Sequence, residues 1–212
     1  MMSKINDTPS RLGHVVVIDD DPSVRSSLAT LLERSGYDVV LYASADAFLS
    51  HPVVPSPAVM LIDMRMPGTT GVALQKQLHT LAKHVPVVFA SGDSRPEEII
   101  AAMKQGAVDF LLKPFTAQAM LDVVARAMGL SEKAVVEAVK LEQVSDRLKR
   151  LTPRELEVCH WMVRGYSNQQ IATLEGGASA TIKLHRAHVM EKLGVRTLPE
   201  LIEAVGHQFA ST

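Results

Sequence analysis

Four polar stretches stand out because each directly follows a short apolar run. They are Asp19-Asp20-Asp21, Asp63, Ser91-Gly92 and Lys113-Pro114. Carboxylate oxygens are the hard ligands that Mg²⁺ accepts together with water and phosphoryl oxygens. A further carboxylate can attack phosphorus and form an acyl phosphate, provided that cations neutralise the charge that develops. If the four stretches meet in space, their residue types predict a site for magnesium-dependent phosphoryl transfer.

The surrounding pattern indicates how they would meet. Short runs rich in Val and Ile predict strands at Val15–Ile18, Val39–Tyr42, Val59–Ile62, Val85–Phe89 and Phe110–Leu112. Longer amphipathic stretches predict helices at Pro22–Ser35, Ala45–Ser50, Val72–Leu81, Pro96–Gln105 and Ala117–Met128. This alternation is typical of an α/β domain with a doubly wound parallel sheet, whose strands are buried on both faces. Ligands bind at the carboxyl ends of such strands, so four of the five predicted strands would deliver polar groups to one rim.

Each of these residues also has a purely structural interpretation. Asp21 precedes Pro22 and is a good helix N-cap, which we favour over metal ligation. Asp63 could merely start a turn, Ser91 could lie in a loop, and Lys113 could be a solvated charge. The joint arrangement on one rim favours a phosphorylation site.

Residues 14–128 resemble the receiver domain of two-component response regulators of the NarL/FixJ family. The matching stretches are VVVIDDDPSVRSSL, LIDMRMPGTTGVAL and AMKQGAVDFLLKPF. The resemblance implies a flavodoxin-like, five-stranded parallel sheet and a cis peptide at Pro114. It also implies the site residues, namely the phosphoacceptor Asp63, the Mg²⁺ ligands Asp19, Asp20, Asp63 and the backbone carbonyl of Arg65, and the phosphoryl-stabilising and switch residues Ser91, Phe110 and Lys113.

The same resemblance implies a mechanism and a partner. A sensor histidine kinase would supply the phosphoryl group, and the chain would catalyse only its own phosphorylation and the later hydrolysis. Ser91 would be drawn toward the phosphoryl group and Phe110 would fill the vacated space. Arg65 and Asp93 each lie two residues past a site residue, so we expect them to overhang the phosphoryl group and to set its lifetime.

Residues 129–150 form a predicted linker with one apolar stripe, which is typical of an amphipathic helix. The stripe comprises Ala134, Ala138, Leu141, Val144, Leu148 and Leu151. This helix could pack within its own chain or pair with a second copy. Both alternatives remain open at this point.

Residues 151–212 predict a small all-α domain that follows the receiver domain of residues 13–128 and the linker. Thr152, Pro153 and Glu155 have the spacing of a helix N-terminus with a capping box. The segment LTPRELEVCHWMVRGYSNQQIATLEGGASATIKLHRAHVMEKLGVRTLPELIEA resembles a LuxR-type helix-turn-helix domain. Helices are predicted at Glu155–Arg164, Asn168–Leu174, Ser179–Leu193 and after Pro199.

By this resemblance the third of these helices enters the major groove of double-stranded DNA. Lys183, Leu184 and Ala187 would reach base edges, and Thr181, Arg186 and Lys192 would contact phosphates. His185 and His188 lack further metal ligands nearby, so we interpret them as solvated or as phosphate contacts. An active homodimer would match the two-fold symmetry of a DNA site. Leu198, Leu201, Ile202 and Val205 pack on their own domain or supply a second dimer contact.

Two features of the sequence do not match a typical DNA-binding domain of this family. The net charge is −1, and residues 151–212 contain six acidic and six basic residues, although four of the basic ones lie between Ser179 and Arg196. In the turn, Glu175 and Gly177 replace two apolar residues of the family pattern, and Ala178 replaces the capping Ser. We therefore predict a less rigid turn, with Ser179 as a cap one residue late.

The remaining composition indicates a cytoplasmic protein. Hydrophobic residues make up 47% of the chain, yet no apolar run has the length of a signal peptide core or a membrane span. The lone Cys159 excludes an internal disulfide and is interpreted as a small apolar residue. The favoured function is a transcription regulator. The alternatives are a receiver whose helical domain binds RNA or protein, and a metal-dependent phosphatase acting through Asp63.

Overall fold

The structure, a computed structural model, describes residues 11–81, 85–92 and 94–209. The chain divides into two compact units, the first ending at Val136 and the second beginning at Glu137. The boundary lies within a helix.

The first unit contains a five-stranded parallel sheet with strand order β2-β1-β3-β4-β5, which confirms the predicted fold class. The strands are β1 His14–Ile18, β2 Asp38–Tyr42, β3 Ala58–Asp63, β4 Val87–Ser91 and β5 Asp109–Leu112. Because the order reverses between β1 and β3, a crevice opens at the carboxyl ends of these two strands.

Helices cover both faces of the sheet. They are α1 Pro22–Arg34, α2 Ala45–Ser50, α3 Gly71–Leu81, α4 Pro96–Lys104 and the first part of α5 Ala117–Leu148. Alternate residues of β1 serve two separate cores, because successive side chains of a strand point to opposite faces. Val15 and Val17 pack in the core that α1 and α5 cover, whereas Val16 and Ile18 pack in the core that α2, α3 and α4 cover.

Strand β4 starts two residues later than predicted. Val85 is followed by Pro86, which has no N–H to donate to a strand ladder, although its carbonyl accepts a hydrogen bond from the Met60 N–H at 2.9 Å. The strand also ends two residues later than predicted, so Ser91 is its last residue rather than part of a loop. Asp63 likewise ends β3.

Helix α5 runs without interruption for 32 residues, so the last helix of the predicted receiver domain and the predicted linker are one helix. In the first unit it buries Met120 and Val124, and the buried Ser131 hydroxyl accepts a hydrogen bond from the Ala58 N–H at 3.0 Å. In the second unit Val144 and Leu148 pack against the core, whereas Leu141 is exposed. The predicted apolar stripe is therefore used only in part.

The described part of the second unit contains four further helices around one core. They are α6 Pro153–Val163, α7 Asn168–Glu175, α8 Ser179–Leu193 and α9 Leu198–Phe209. Thr152 and Glu155 form the predicted capping box of α6, and Ser167 caps α7 as predicted. Cys159 is fully buried in this core, together with Leu201 and Val205 of α9. Within the described ranges, no helix combines the length and the apolar character that a bilayer crossing requires.

Candidate functional site

Three carboxylates meet at the carboxyl ends of β1 and β3. Asp19 and Asp20 directly follow β1, and Asp63 ends β3. Each offers an oxygen within 4.8 Å of the others. Asp19 is buried, Asp63 is half-buried and Asp20 is exposed. The crevice at the reversal of strand order thus holds the acidic cluster that the sequence predicts.

Lys113 bridges this cluster from β5, two strands away from β3. Its Nζ lies 2.7 Å from Asp19 Oδ2 and 2.8 Å from Asp63 Oδ2. Burial disfavours the charged ammonium, but the hydrogen bonds and charges of the two carboxylates outweigh burial and raise the pKa of Lys113. The ammonium therefore remains charged and offsets part of the repulsion between the acids. The Lys113-Pro114 peptide is cis, as predicted.

Hydrogen bonds from Asp21 and Arg25 fix the orientation of Asp19. Its Oδ1 accepts the Asp21 N–H at 2.9 Å, and its own carbonyl accepts a bond from Arg25 at 2.6 Å. Asp21 itself caps α1, since its carboxylate accepts the N–H groups of Ser23 and Val24. A bond from the Ser23 hydroxyl is the largest cause that lowers the pKa of Asp21, and the bonds from the two N–H groups lower it further. The capping interpretation of Asp21 is confirmed.

Asp63 is held on both carboxylate oxygens. Oδ2 faces Lys113, and Oδ1 accepts the Arg65 N–H at 2.9 Å. Gly71 allows this turn to form, because a Cβ there would lie 2.4 Å from the Asp63 carbonyl oxygen. Gly71 is not among the predicted site residues, although it stands at the start of α3 in the stretch MPGTTG.

The strand register places the predicted switch residues near each other. Phe110 pairs with Phe89 of β4, and Ser91 lies two residues further along the same strand. Ser91 and Phe110 therefore face the same side of the sheet on neighbouring strands. Ser91 is buried and Phe110 half-buried. Of the residues expected to overhang the site, Arg65 is exposed, whereas Asp93 lies outside the described residues.

In the second unit, α8 has one side that is buried and another that is exposed. Ile182, Val189 and Leu193 are buried in the core, as predicted. The opposite side exposes four of the six residues predicted to contact DNA, namely Thr181, Lys183, Leu184 and Ala187.

The other two predicted DNA contacts bind within the protein. Lys192 Nζ lies 2.6 Å from Glu155 Oε2, and Arg186 donates to the Tyr166 carbonyl at 3.1 Å. Glu155 is only 3% exposed, and the bond from Lys192 is the largest cause that lowers the pKa of Glu155 from 4.5 to about 2. His188 Nδ1 is 3.6 Å from the same carboxylate. Arg186 and Lys192 thus tie α8 to its neighbours, a role that charge patterning did not reveal.

Glu175, the unusual residue of the turn, makes specific polar contacts. Its Oε1 accepts a hydrogen bond from Trp161 Nε1 at 2.7 Å, its Oε2 pairs with the Arg154 guanidinium, and Arg154 also donates to the Glu175 carbonyl at 3.1 Å. These bonds, with that of Trp161 first, lower the pKa of Glu175. A polar clamp thus replaces the apolar anchor that the family pattern has at this position.

The expectation that Ser179 caps α8 is wrong. Ala178 occupies the N-cap position, with φ −85° and ψ 139°, and Ser179 is the first helical residue. The Ala178 carbonyl accepts the first bonds of the helix, from the N–H groups of Thr181 and Ile182. The helix therefore starts where the family pattern starts it, but with a methyl group in place of a capping hydroxyl.

Comparison with known proteins finds a matching protein family for each of the two units. Residues 15–125 match the response regulator receiver domain family, and residues 149–205 match the bacterial regulatory proteins of the luxR family. The chain is 36% identical to nodulation protein W of Bradyrhizobium diazoefficiens over 188 residues, which are 89% of this chain and 83% of that protein. It is 38% identical to the transcriptional regulatory protein FixJ of Azorhizobium caulinodans over 188 residues, which are 89% of each chain.

A solved structure of the response regulator StyR is similar with a TM-score of 0.78 and 37% identity, and the match covers 92% of this chain and 98% of StyR. These similarities extend over the receiver domain and the helix-turn-helix domain together. The chain therefore belongs to the NarL/FixJ family of two-component response regulators, in which a receiver domain precedes a LuxR-type DNA-binding domain.

Proposed function

We propose that Asp63 accepts a phosphoryl group from a histidine kinase and that this modification controls dimerisation, DNA binding and transcription. The observation that carries the proposal is the position of Lys113 between Asp19 and Asp63, 2.7 and 2.8 Å from their oxygens. An ammonium in that position offsets the charge that a phosphoryl group would bring to Asp63.

The proposed transfer is a displacement at phosphorus. An oxygen of Asp63 forms a bond to phosphorus, while the bond from phosphorus to the kinase histidine nitrogen breaks and that nitrogen keeps the electron pair and takes up a proton. In the later hydrolysis, water attacks phosphorus, the bond to the Asp63 oxygen breaks, and inorganic phosphate leaves. The carboxylate is restored, so the chain acts only on itself.

The donor set fits a magnesium ion, because Asp19, Asp20 and Asp63 offer carboxylate oxygens that lie within 4.8 Å of one another. Asp20 is exposed, so the site is open to solvent. Asp19, Asp20, Asp63 and the backbone carbonyl of Arg65 would hold it. When bound, the ion would neutralise negative charge on the carboxylates and on the phosphoryl oxygens.

The change at Asp63 would reach the rest of the domain through Ser91 and Phe110. We propose that the Ser91 hydroxyl hydrogen-bonds a phosphoryl oxygen and that the Phe110 ring moves inward along the same face of the sheet. Their neighbouring positions on β4 and β5 support this coupling. Phosphorylation would then bias an existing equilibrium between two conformations.

The second unit would bind promoter DNA through α8 as a homodimer. The exposed side of α8 supports contacts from Thr181, Lys183, Leu184 and Ala187. The internal bonds of Arg186 and Lys192 make these two residues weaker candidates than the sequence alone indicates. The luxR-family match favours DNA over RNA or a protein as the ligand.

The test compares the wild type with Asp63→Asn after incubation with acetyl phosphate and Mg²⁺. We expect the wild type to gain the mass of one phosphoryl group and to bind genomic promoter fragments more tightly in footprinting, and we expect Asp63→Asn to do neither. Asp122→Asn is the matched control, because Asp122 is an exposed aspartate on α5 that bonds Gln118. Modification of Asp63→Asn to the wild-type extent would exclude Asp63 as the acceptor.

A further inference from the structure

Most of the positive charge of α8 does not face outward. Of its three Lys and Arg residues, all of which the structure describes, Arg186 and Lys192 are bonded to Tyr166 and Glu155. Lys183 is the exposed one. The outward side of the helix therefore carries less charge than the sequence alone suggests.

The outward side is largely apolar. Ala180, Leu184 and Ala187 are exposed and lie at i, i+4 and i+7, which places them on one side of a helix with about 3.6 residues per turn. Leu184 is 56% exposed, and the two alanines beside it have only methyl side chains. Leu184 is thus the one large apolar side chain that projects from this side of α8.

The charge of the outward side is unevenly distributed along the helix. Lys183 and Thr181 lie in the first half of α8, and exposed Glu191 lies in the last turn on the same side as Ala187. An acidic side chain repels DNA phosphates, so it favours entry of the first half of the helix into the groove.

The floor of the major groove offers one apolar group, the C5-methyl of thymine, and guanine offers acceptors to lysine at O6 and N7. We infer that α8 recognises a half-site in which Leu184 packs on a thymine methyl and Lys183 binds a neighbouring guanine. The inference rests on the proposed DNA-binding function and names the bases that this function would read.

The first experiment defines the DNA site. The full-length protein, phosphorylated with acetyl phosphate and Mg²⁺, selects duplexes from a randomised pool. Each thymine of the selected half-site is then replaced by deoxyuridine, which removes only the methyl group. We expect one replacement to weaken binding about fourfold, as for the loss of one buried methyl group.

The second experiment couples that methyl group to Leu184. In Leu184→Ala the same deoxyuridine replacement should have no further effect, because the partner of the methyl group is absent. Leu156→Ala is the matched control, since Leu156 is a 41% exposed leucine on α6. It should retain the full sensitivity to deoxyuridine. Lys183→Ala should relax the preference for guanine at a neighbouring position.

The outcomes separate the inference from the function on which it rests. If a sequence is selected but no deoxyuridine replacement weakens binding, or if Leu184→Ala remains as sensitive as the wild type, the methyl contact is excluded and DNA binding stands. If no duplex sequence is selected, the proposed DNA-binding function fails and the inference fails with it.

Discussion

The indole Nε1 of Trp161 donates a 2.7 Å hydrogen bond to the Glu175 carboxylate, which also pairs with Arg154. This contact joins α6 to the end of α7, at the turn that precedes α8. A residue that breaks the family pattern is therefore bonded to both a ring and a guanidinium.

We predict that Glu175→Ala destabilises the second unit by about 1–3 kcal/mol, because it leaves the half-buried Trp161 indole N–H without its acceptor and removes a carboxylate that pairs with Arg154. Trp161 is the sole tryptophan of the chain, so its fluorescence during urea unfolding reports on this unit. Glu157→Ala is the matched control, since Glu157 is an exposed partner of Arg154 at 2.9 Å. It should lower stability by less than about 1 kcal/mol. Equal losses of unfolding free energy in the two variants would show that the bonds of Glu175 add no stability beyond that of an exposed ion pair.

The Glu155 carboxylate gives the second unit a defined pH dependence. Its folded pKa of about 2 lies below its ordinary value of 4.5, so ionised Glu155 stabilises the fold above pH 4.5 and this contribution is lost as the pH falls toward 2. Glu155→Gln should lower stability by about 2 kcal/mol at neutral pH and should flatten the pH dependence in that window. Unfolding curves of the two proteins at several pH values test this. Parallel curves would show that another group is responsible.

Lys183 and Lys192 should have opposite roles in spite of their shared charge. Lys183→Ala should weaken DNA binding by about 1–3 kcal/mol and leave unfolding unchanged, because its ammonium is exposed. Lys192→Ala should lower the stability of the second unit, because it removes the ammonium that pairs with the buried Glu155 carboxylate. Binding titrations and urea unfolding of both variants measure the two effects. If Lys192→Ala instead lost DNA affinity without losing stability, the result would support the phosphate contact that the sequence predicts for Lys192.

Lys113→Ala should slow phosphorylation by acetyl phosphate at least about tenfold, because the acids would then repel the donor with one cation fewer. Intact-mass measurements over time give the rate. Lys133→Ala, an exposed lysine on α5, serves as the control and should match the wild type. An unchanged rate of phosphorylation in Lys113→Ala would show that the ammonium has no role in the proposed transfer.

Arg65 should influence how long the phosphoryl group persists. Its N–H is bonded to Asp63 and its side chain is exposed, so substitution by Ala alters the surroundings of the attacking water without disturbing the core. We expect the half-life of the acyl phosphate to change in Arg65→Ala and in Asp93→Ala, measured by loss of the added mass. Unchanged half-lives in both variants would exclude this role.

The receiver site could be predicted because its residues follow strands, and the ends of parallel strands in one sheet must meet. Asp19, Asp63 and Lys113 were therefore predictable from local patterns. The contacts of Glu155 and Glu175 were not, because their partners Lys192, Trp161 and Arg154 come together only when α6, α7 and α8 pack. The β4 boundary was misplaced because the apolar run extends through Pro86, which cannot donate to the ladder.

The two sides of α8 have separate roles. The buried or internally bonded residues hold the helix in place, namely Ile182, Val189, Arg186 and Lys192. The exposed residues face outward, namely Ala180, Lys183, Leu184 and Ala187. Substitutions on the outward side leave the interior untouched. With the DNA contacts that we propose for the outward side, target preference would change by substitution there, in a scaffold that keeps its stability.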